Sequence, residues 1–341
     1  MTATNRQWLL KERPSGLVGP EHFTLHEGEI PQPGDNEILV RTLYFGMDPT
    51  QRGWLHQEDS YIEPVQIGEP MRASAIAQVV ESNDPDYAPG DLVAGTMSWQ
   101  DYAITKNGGP IPLRKLSSDY PLTWNFSVFG ITTLTAYFGV VDVLDIQEGD
   151  EVLVSGAAGA TGQAACQMAR LRGAKKVVGI AGGAEKCRFL TDKIGCDAAI
   201  DYKSENVEAR IRELFPNGHT AFYENVGGDI LDAGLATMAQ GARIAICGGI
   251  SSGYNSWSVD TGPKNYLYLI LKAAKMQGFL VVYYMDRFPE AIEAIAGWVK
   301  DGKLTVHETV LEGFEKAPEA LQGLFTGKNL GKMIVKVADP T

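Results

Sequence analysis

The stretch EVLVSGAAGATGQAACQMARL, residues 151–171, carries the strongest chemical signal in the chain. It reads as an apolar strand, a turn of small residues and then a helix. Gly159 and Gly162 occupy the last two positions of a G-x-G-x-x-G pattern, and Ala157 takes the first. Small residues at these places let backbone N–H groups approach a pyrophosphate at a helix N-terminus and let the helix pack closely on its strand. The pattern predicts dinucleotide binding. Where NAD-selective sites hold an acid for the ribose 2′-hydroxyl, about 20 residues further on, the chain reads Ile180-Ala181-Gly182-Gly183. No carboxylate there repels a 2′-phosphate, and Lys186 follows in the first turn of the next helix, so NADP is favoured. Glu185 argues mildly the other way.

Metal chemistry has no comparable signal. No C-x₂-C series exists, the first 165 residues hold no cysteine, and His22, His26, His56, His219 and His307 are scattered. His22 and His26 are four apart, but FTLHEGE reads as a strand, which gives them no shared helical face. Cys247 ends an apolar strand with no histidine nearby in sequence and reads as packing near the cofactor rather than as a nucleophile.

These residues need a scaffold, and the 341-residue length suits about two domains at roughly 150 residues each. Up to about residue 126, short runs such as RQWLLK, NEILVRTLYFG, ASAIAQVVES, GDLVAG and WQDYAITK are punctuated by Gly and Pro, predicting an irregular antiparallel β-domain. From Asp150 the texture becomes strands alternating with helices. EVLVSG, KVVGIAG, DAAID, AFYENVG, ARIAICGG and QGFLVVYY read as six strands, separated by windows with roughly 3.6-residue apolar spacing. That is a Rossmann-type doubly wound parallel sheet. The last elements, LTVHETVLEGF, APEALQGLFTG and GKMIVKV, break the alternation and are expected to return to the first domain. The division is thus 1–126 completed by 303–341, and 127–302.

The formal charge of −12 opposes generic nucleic-acid or anionic-membrane binding. Four clustered cysteines do not make a disulfide framework, and no signal peptide or long apolar run is evident, so a cytoplasmic protein is expected.

Ten strings in one order, LYFGMDPTQRG, GITTLTAYFGV, VSGAAGATG, GIAGGAEKC, DAAIDYKSE, YENVGG, ARIAICGGIS, YNS, QGFLVVYY and GKNLGKMIVK, give the chain a nearly end-to-end resemblance to a known family. It resembles the zinc-free medium-chain dehydrogenases/reductases, in the branch of prostaglandin reductase (leukotriene hydroxydehydrogenase), plant alkenal double-bond reductases and bacterial NADPH-dependent curcumin reductase. The resemblance implies a GroES-like β-domain from both chain ends and a Rossmann domain between them. It further implies hydride transfer from NADPH to the β-carbon of an α,β-unsaturated ketone or aldehyde. On this sequence, it places Gly159, Ala160 and Gly162 at the pyrophosphate and Lys186 and Tyr202 at the 2′-phosphate. Asn225, Cys247, Ile250, Phe279, Val281 and Asn329 would line the ribose and nicotinamide, and Tyr254 would polarise the substrate. Two departures bear on substrate range. The chain has Thr50 where members often carry an aromatic residue in DPYMR, and GITTLTAY in place of GMPGLTAY sets Thr132 and Thr133 near the nicotinamide.

Hydride addition to such a substrate puts negative charge on its carbonyl oxygen, and a phenol can stabilise that charge without a metal. Tyr254 lies in the loop SSGYNSWSVDTGP, with Tyr61 and Tyr44 as alternative donors. Trp99, Tyr102 and Trp257 are candidate walls of an apolar slot, with at least one expected in the core. QGFLVVYY, read as an apolar edge strand, predicts a homodimer, as does the resemblance. Two other readings share these features: a quinone reductase of the same superfamily, and a non-catalytic NADPH-binding redox sensor.

Overall fold

In the computed structural model, which describes residues 4–58, 62–106, 113–117, 119–256, 259 and 262–341, the described strands form two large sheets and a separate antiparallel pair made by the first two strands. The N-terminal strands are β1 (Asn5–Leu10), β2 (Phe23–Gly28), β3 (Ile38–Met47), β4 (Arg72–Ser82), β5 (Leu92–Ser98), β6 (Tyr102–Thr105) and β7 (Arg114–Lys115), with a short helix α1 (Thr50–Gly53) after β3. Helix α2 (Ile131–Phe138) follows. The alternating region then gives β8 (Glu151–Val154), α3 (Ala160–Leu171), β9 (Lys176–Ala181), α4 (Ala184–Phe189), β10 (Ala198–Asp201), α5 (Val207–Leu214), β11 (His219–Glu224), α6 (Gly228–Thr237) and β12 (Met238–Ile246). After these come α7 (Tyr268–Leu271), β13 (Lys275–Gly278), α8 (Phe288–Lys300), β14 (Glu308–Glu312), α9 (Ala317–Thr326) and β15 (Lys332–Lys336).

The parallel sheet has the order β10-β9-β8-β11-β12-β13, which reverses direction of growth beside β8. Its central strands are continuous apolar runs because helices cover both faces. Val152 and Val154 of β8 pack with Ala165 and Met168 of α3, while Leu153 between them packs with Ile211 of α5 and Leu235 of α6. Asn206 caps α5, its Oδ1 accepting from Ala209 N–H at 2.9 Å.

The second sheet runs β14-β15-β3-β4-β5-β7, with β6 also on β3. Thus β15 lies antiparallel to β3, Val335 opposite Phe45, and Leu321 of α9 shares a core with Phe45, Ala75 and Trp99. The final strands do return to the first sheet, as expected.

One expectation is corrected. QGFLVVYY is not a strand: β13 stops at Gly278, and Val281–Arg287 form a 3₁₀ turn. The apolar residues leave the sheet edge because aromatic partners on α2 draw them in. Tyr284 stacks on Phe138 at 4.6 Å, and Phe279 closes over Gly139, where a Cβ would lie 2.8 Å from its ring.

The chain's return crosses α3 at residues 305–307, and two glutamines one helical turn apart receive it. Gln163 Nε2 donates to His307 O and Gln163 Oε1 accepts from His307 N–H, both at 3.0 Å. Gln167 does the same with Thr305, at 2.8 and 3.0 Å. Each amide thus stands in for a neighbouring strand, satisfying backbone groups that have left their sheet. Gln163→Ala, at a fully buried side chain, would leave His307 N–H without its acceptor while His307 O keeps Lys332 N–H, and should cost about 1–2 kcal/mol. Denaturant titration checks this, with a stability within 0.5 kcal/mol of the parent (about the scatter for an exposed site) counting against a role for the clamp.

Candidate active site between the two sheets

The turn after β8 is held by backbone geometry. Gly159 N–H donates to Gly156 O at 2.9 Å, and a Cβ at Gly162 would lie 2.4 Å from that same oxygen, so residue 162 accepts no side chain. Helix α3 starts at Ala160 with no side chain capping its first N–H groups, an arrangement suited to an anion. Gly331 closes the turn from the other sheet. Its N–H donates to Ala158 O at 2.9 Å, and its φ of +69° and the His307 carbonyl 1.9 Å from a would-be Cβ both demand glycine. Asn329 is set beside it by donation from Nδ2 to Gly331 O at 2.9 Å.

At the ends of β9 and β10, Tyr202 lies over Gly182, where a Cβ would meet its hydroxyl and ring at 2.8 Å. Lys186 on α4 is half-buried, and burial followed by the nearby Lys203 ammonium lowers its pKa. Two cations held together beside an exposed phenol fit a dianionic phosphate. Sequence reasoning picked out Lys186 and Tyr202 and missed Lys203, which follows Tyr202 directly. Asp201 shapes this turn, accepting from Gly183 N–H at 2.7 Å and Lys203 N–H at 3.0 Å.

Beyond β8, β11 and β12, the loops are stitched together. Asn225 Nδ2 donates to Ser155 O at 2.7 Å, Asn225 N–H to Ser155 Oγ at 2.8 Å, and Ile250 N–H to Asn225 O at 3.2 Å. Cys247 N–H donates to Glu224 O at 2.8 Å, and burial raises the Cys247 thiol to about 11, which keeps it protonated and unreactive. Phe279 and Val281 pack against the core beside Tyr223, with the Phe279 and Tyr223 rings 6.4 Å apart. Tyr254 reaches back over this surface. Its hydroxyl accepts from Gly249 N–H at 3.0 Å, and its ring meets Phe325 of α9 edge-on at 6.5 Å, so it lies between the two domains.

The structure therefore brings together the turn, Asn225, Ile250 and Tyr254 at one edge of the parallel sheet. Tyr61 and Trp257 lie outside the described residues. Tyr44 packs with the group that includes Leu43, Leu92 and Ala338. Trp99 is fully buried against Phe23 at 5.1 Å and is core, while Tyr102 borders a polar cavity with Arg6 and Asp101 inside the β-domain. Neither is a wall of the site. Thr133 is committed to Ser127 O at 2.5 Å, and Thr132 Oγ1 has no hydrogen-bond partner among the described residues. Among those residues, no cluster of His, Cys, Asp and Glu is placed to hold a metal, and no helix is long and apolar enough to cross a membrane.

The fold and this edge define a two-domain, nucleotide-dependent oxidoreductase. Residues 6–113 match the family model described as N-terminal domain of oxidoreductase, and 160–297 match that described as zinc-binding dehydrogenase. The chain is 38% identical to the NADPH-dependent curcumin reductase of Escherichia coli, over 98% of this chain and 97% of that one. It is 39% identical to the NADP-dependent 2-alkenal reductase of Nicotiana tabacum, over 98% of each. Among solved structures, CurA from Vibrio vulnificus in complex with NADPH superposes with a TM-score of 0.91 at 37% identity, covering 98% of this chain and all of that one. The chain belongs to the medium-chain dehydrogenase/reductase family, in the branch of prostaglandin reductase, 2-alkenal reductase and curcumin reductase.

One buried group beneath the site was not anticipated. Glu224 is fully buried at the end of β11, accepts from Val226 and Gly227 N–H, and has no partner for Oε2 among the described residues. Burial raises its pKa to about 7, against the pull of those donors and of the Ser155 hydroxyl. A folded-state pKa above the unfolded one means the folded chain holds the proton longer, so stability falls as pH rises through that window. The loss is fully developed above pH 7, on the order of 3 kcal/mol. Glu224→Gln should raise Tm clearly at pH 8 and little at pH 5, where the native carboxyl is already neutral. Equal shifts at the two pH values would show that Glu224 does not titrate there.

Proposed function

We propose that this protein reduces the carbon–carbon double bond of small α,β-unsaturated ketones or aldehydes at the expense of NADPH. The observation that carries the reading is the Tyr254 hydroxyl, held by Gly249 N–H at the sheet edge that also presents the glycine turn and Asn225. The named activities of the curcumin and 2-alkenal reductase relatives support the same reaction class.

In this reading Gly159, Ala160 and Gly162 offer backbone N–H groups to the pyrophosphate, and Lys186, Lys203 and Tyr202 take the 2′-phosphate. Asn225, Cys247, Ile250, Phe279, Val281 and Asn329 line the ribose and nicotinamide. Bound NADPH supplies a hydride to the substrate's β-carbon. Tyr254 donates its O–H to the carbonyl oxygen, where negative charge develops, and the hydrogen bond it accepts from Gly249 strengthens that donation. Residues 1–126 with 303–341 shape the substrate side, and 127–302 hold the nucleotide. The scarcity of cysteine, with all four thiols free, supports a cytoplasmic location.

NADPH oxidation with a 2-alkenal, an aryl enone and a quinone in parallel tests the reading. Turnover of the first two is expected, whereas quinone as the sole good substrate would favour the quinone-reductase alternative and no turnover a sensor. For the cofactor, Lys186→Ala should raise the NADPH KM roughly tenfold or more and barely change that for NADH. Equal effects would remove Lys186 from the phosphate site.

The same reading includes a homodimer. Strand β13 is the exposed outer strand of its sheet, and Ile270, Leu271 and Tyr283 around it are 76%, 71% and 81% exposed. A second copy pairing β13 with β13 would cover both the open backbone and these side chains. Sedimentation equilibrium at micromolar concentration should give twice 37.0 kDa. A mass of one chain rejects the dimer.

A further inference from the structure

Arg52 is fully buried and has no carboxylate among its hydrogen-bond partners in the described residues. Its Nη2 donates to Pro14 O at 2.7 Å, Gly16 O at 3.1 Å and Asn255 Oδ1 at 2.7 Å, and its Nη1 lies 2.7 Å from His56 Nε2. His56 Nε2 also lies 2.7 Å from the carbonyl oxygen of Tyr254. A third link joins the same two segments, from Ser256 Oγ to Glu58 Oε2 at 3.1 Å. Residues 52–58 belong to the β-domain side and residues 254–256 to the loop that follows β12, so these bonds span the cleft at the tyrosine itself.

Tyr254 needs such a hold. Its φ is +50°, a left-handed backbone that non-glycine residues adopt only when their surroundings enforce it. Within the loop, Ser252 Oγ accepts from Tyr254 N–H at 3.2 Å, and Asn255 Nδ2 donates to Ser252 O at 3.2 Å. Those local bonds shape a turn. From across the cleft, His56 lies on the Tyr254 carbonyl and Arg52 on the Asn255 side chain. One imidazole nitrogen either donates to the Tyr254 carbonyl or accepts from Arg52 Nη1. In either state His56 is the piece that relates the buried guanidinium to the tyrosine's backbone.

We propose that Arg52 and His56 are positioning residues: they fix the Tyr254–Asn255 turn from the opposite domain so that the Tyr254 hydroxyl lies at Gly249 over the reacting edge. The inference rests on Tyr254 being the donor to the substrate oxygen. It differs from a structural role in that the effect must pass through the tyrosine.

A double-mutant cycle reads this directly. Tyr254→Phe is expected to lower kcat on an enone by roughly 10- to 100-fold. His56→Leu, which has neither donor nor acceptor, should lower kcat about tenfold with the NADPH KM within about twofold of the parent, and His56→Gln, whose amide supplies both, should restore most of it. In the Tyr254→Phe background, His56→Leu should add less than about twofold, because the hydroxyl it positions is already gone. Multiplying losses in the double variant, or a parental kcat in His56→Leu, would overturn the proposal. Asn255→Ala, an exposed position, carries the same cycle should the His56 variants fail to fold. Tyr254→Phe with parental kcat would instead remove the tyrosine reading, and the positioning role with it.

Discussion

The clamp of Gln163 and Gln167 on residues 305–307 is the contact on which the arrangement of the cleft depends. A chain that leaves one sheet to finish another must carry unpaired backbone groups across the boundary, and burying them unpaired is costly. Here the helix that begins at the glycine turn supplies the missing partners from its own side chains. The consequence is positional. Because His307 is fixed to α3, its carbonyl accepts from Lys332 N–H at 2.9 Å, and Gly331 N–H is left to close on Ala158. The turn and the strand that completes the β-domain are thereby locked together, so the two sheets cannot shift without breaking these bonds.

Electrostatics follow from the same closure. Lys332, nearly inaccessible, pairs with Asp48 Oδ1 at 2.5 Å and donates to Met47 O at 3.1 Å, fastening β15 beside β3 at the start of the 48–58 segment. That segment then carries Arg52 and His56 to the Tyr254 loop. At the ends of β9 and β10 charge is arranged differently: half-buried Lys186 has the like charge of Lys203 nearby, and in the proposed function an anion offsets their repulsion. Buried charge thus orients segments, and in that proposal the lysine pair receives ligand.

The glycine turn and the segments that the proposed function gives to the cofactor were legible in the chain because their determinants are local. Gly159 and Gly162 sit within one turn, Lys186 and Tyr202 follow consecutive strands, and each signal lies within a few residues of the backbone feature that makes it work. The return of GKMIVKV to the first sheet was also legible, from the break in strand–helix alternation. QGFLVVYY was misread since its apolar residues serve an aromatic cluster with Phe138, a partner far away in sequence. Trp99 looked like a ligand wall for a related reason, composition alone giving no hint that Phe23 and the β-domain core enclose it.

By itself, the sequence determined the doubly wound sheet, the place of the glycine turn and the absence of an acid at the end of the second strand. Those depend on periodicity and on steric demands met within one βαβ unit. Only the tertiary structure decided that Glu224 is a buried carboxyl with a raised pKa, that Arg52 has no carboxylate partner among the described residues, and that His56 bears on the Tyr254 carbonyl. The last contact joins residues 198 positions apart. Burial and such pairings are properties of two chain segments meeting after the sheets have packed, and neither segment carries a sign of the other in its own residues.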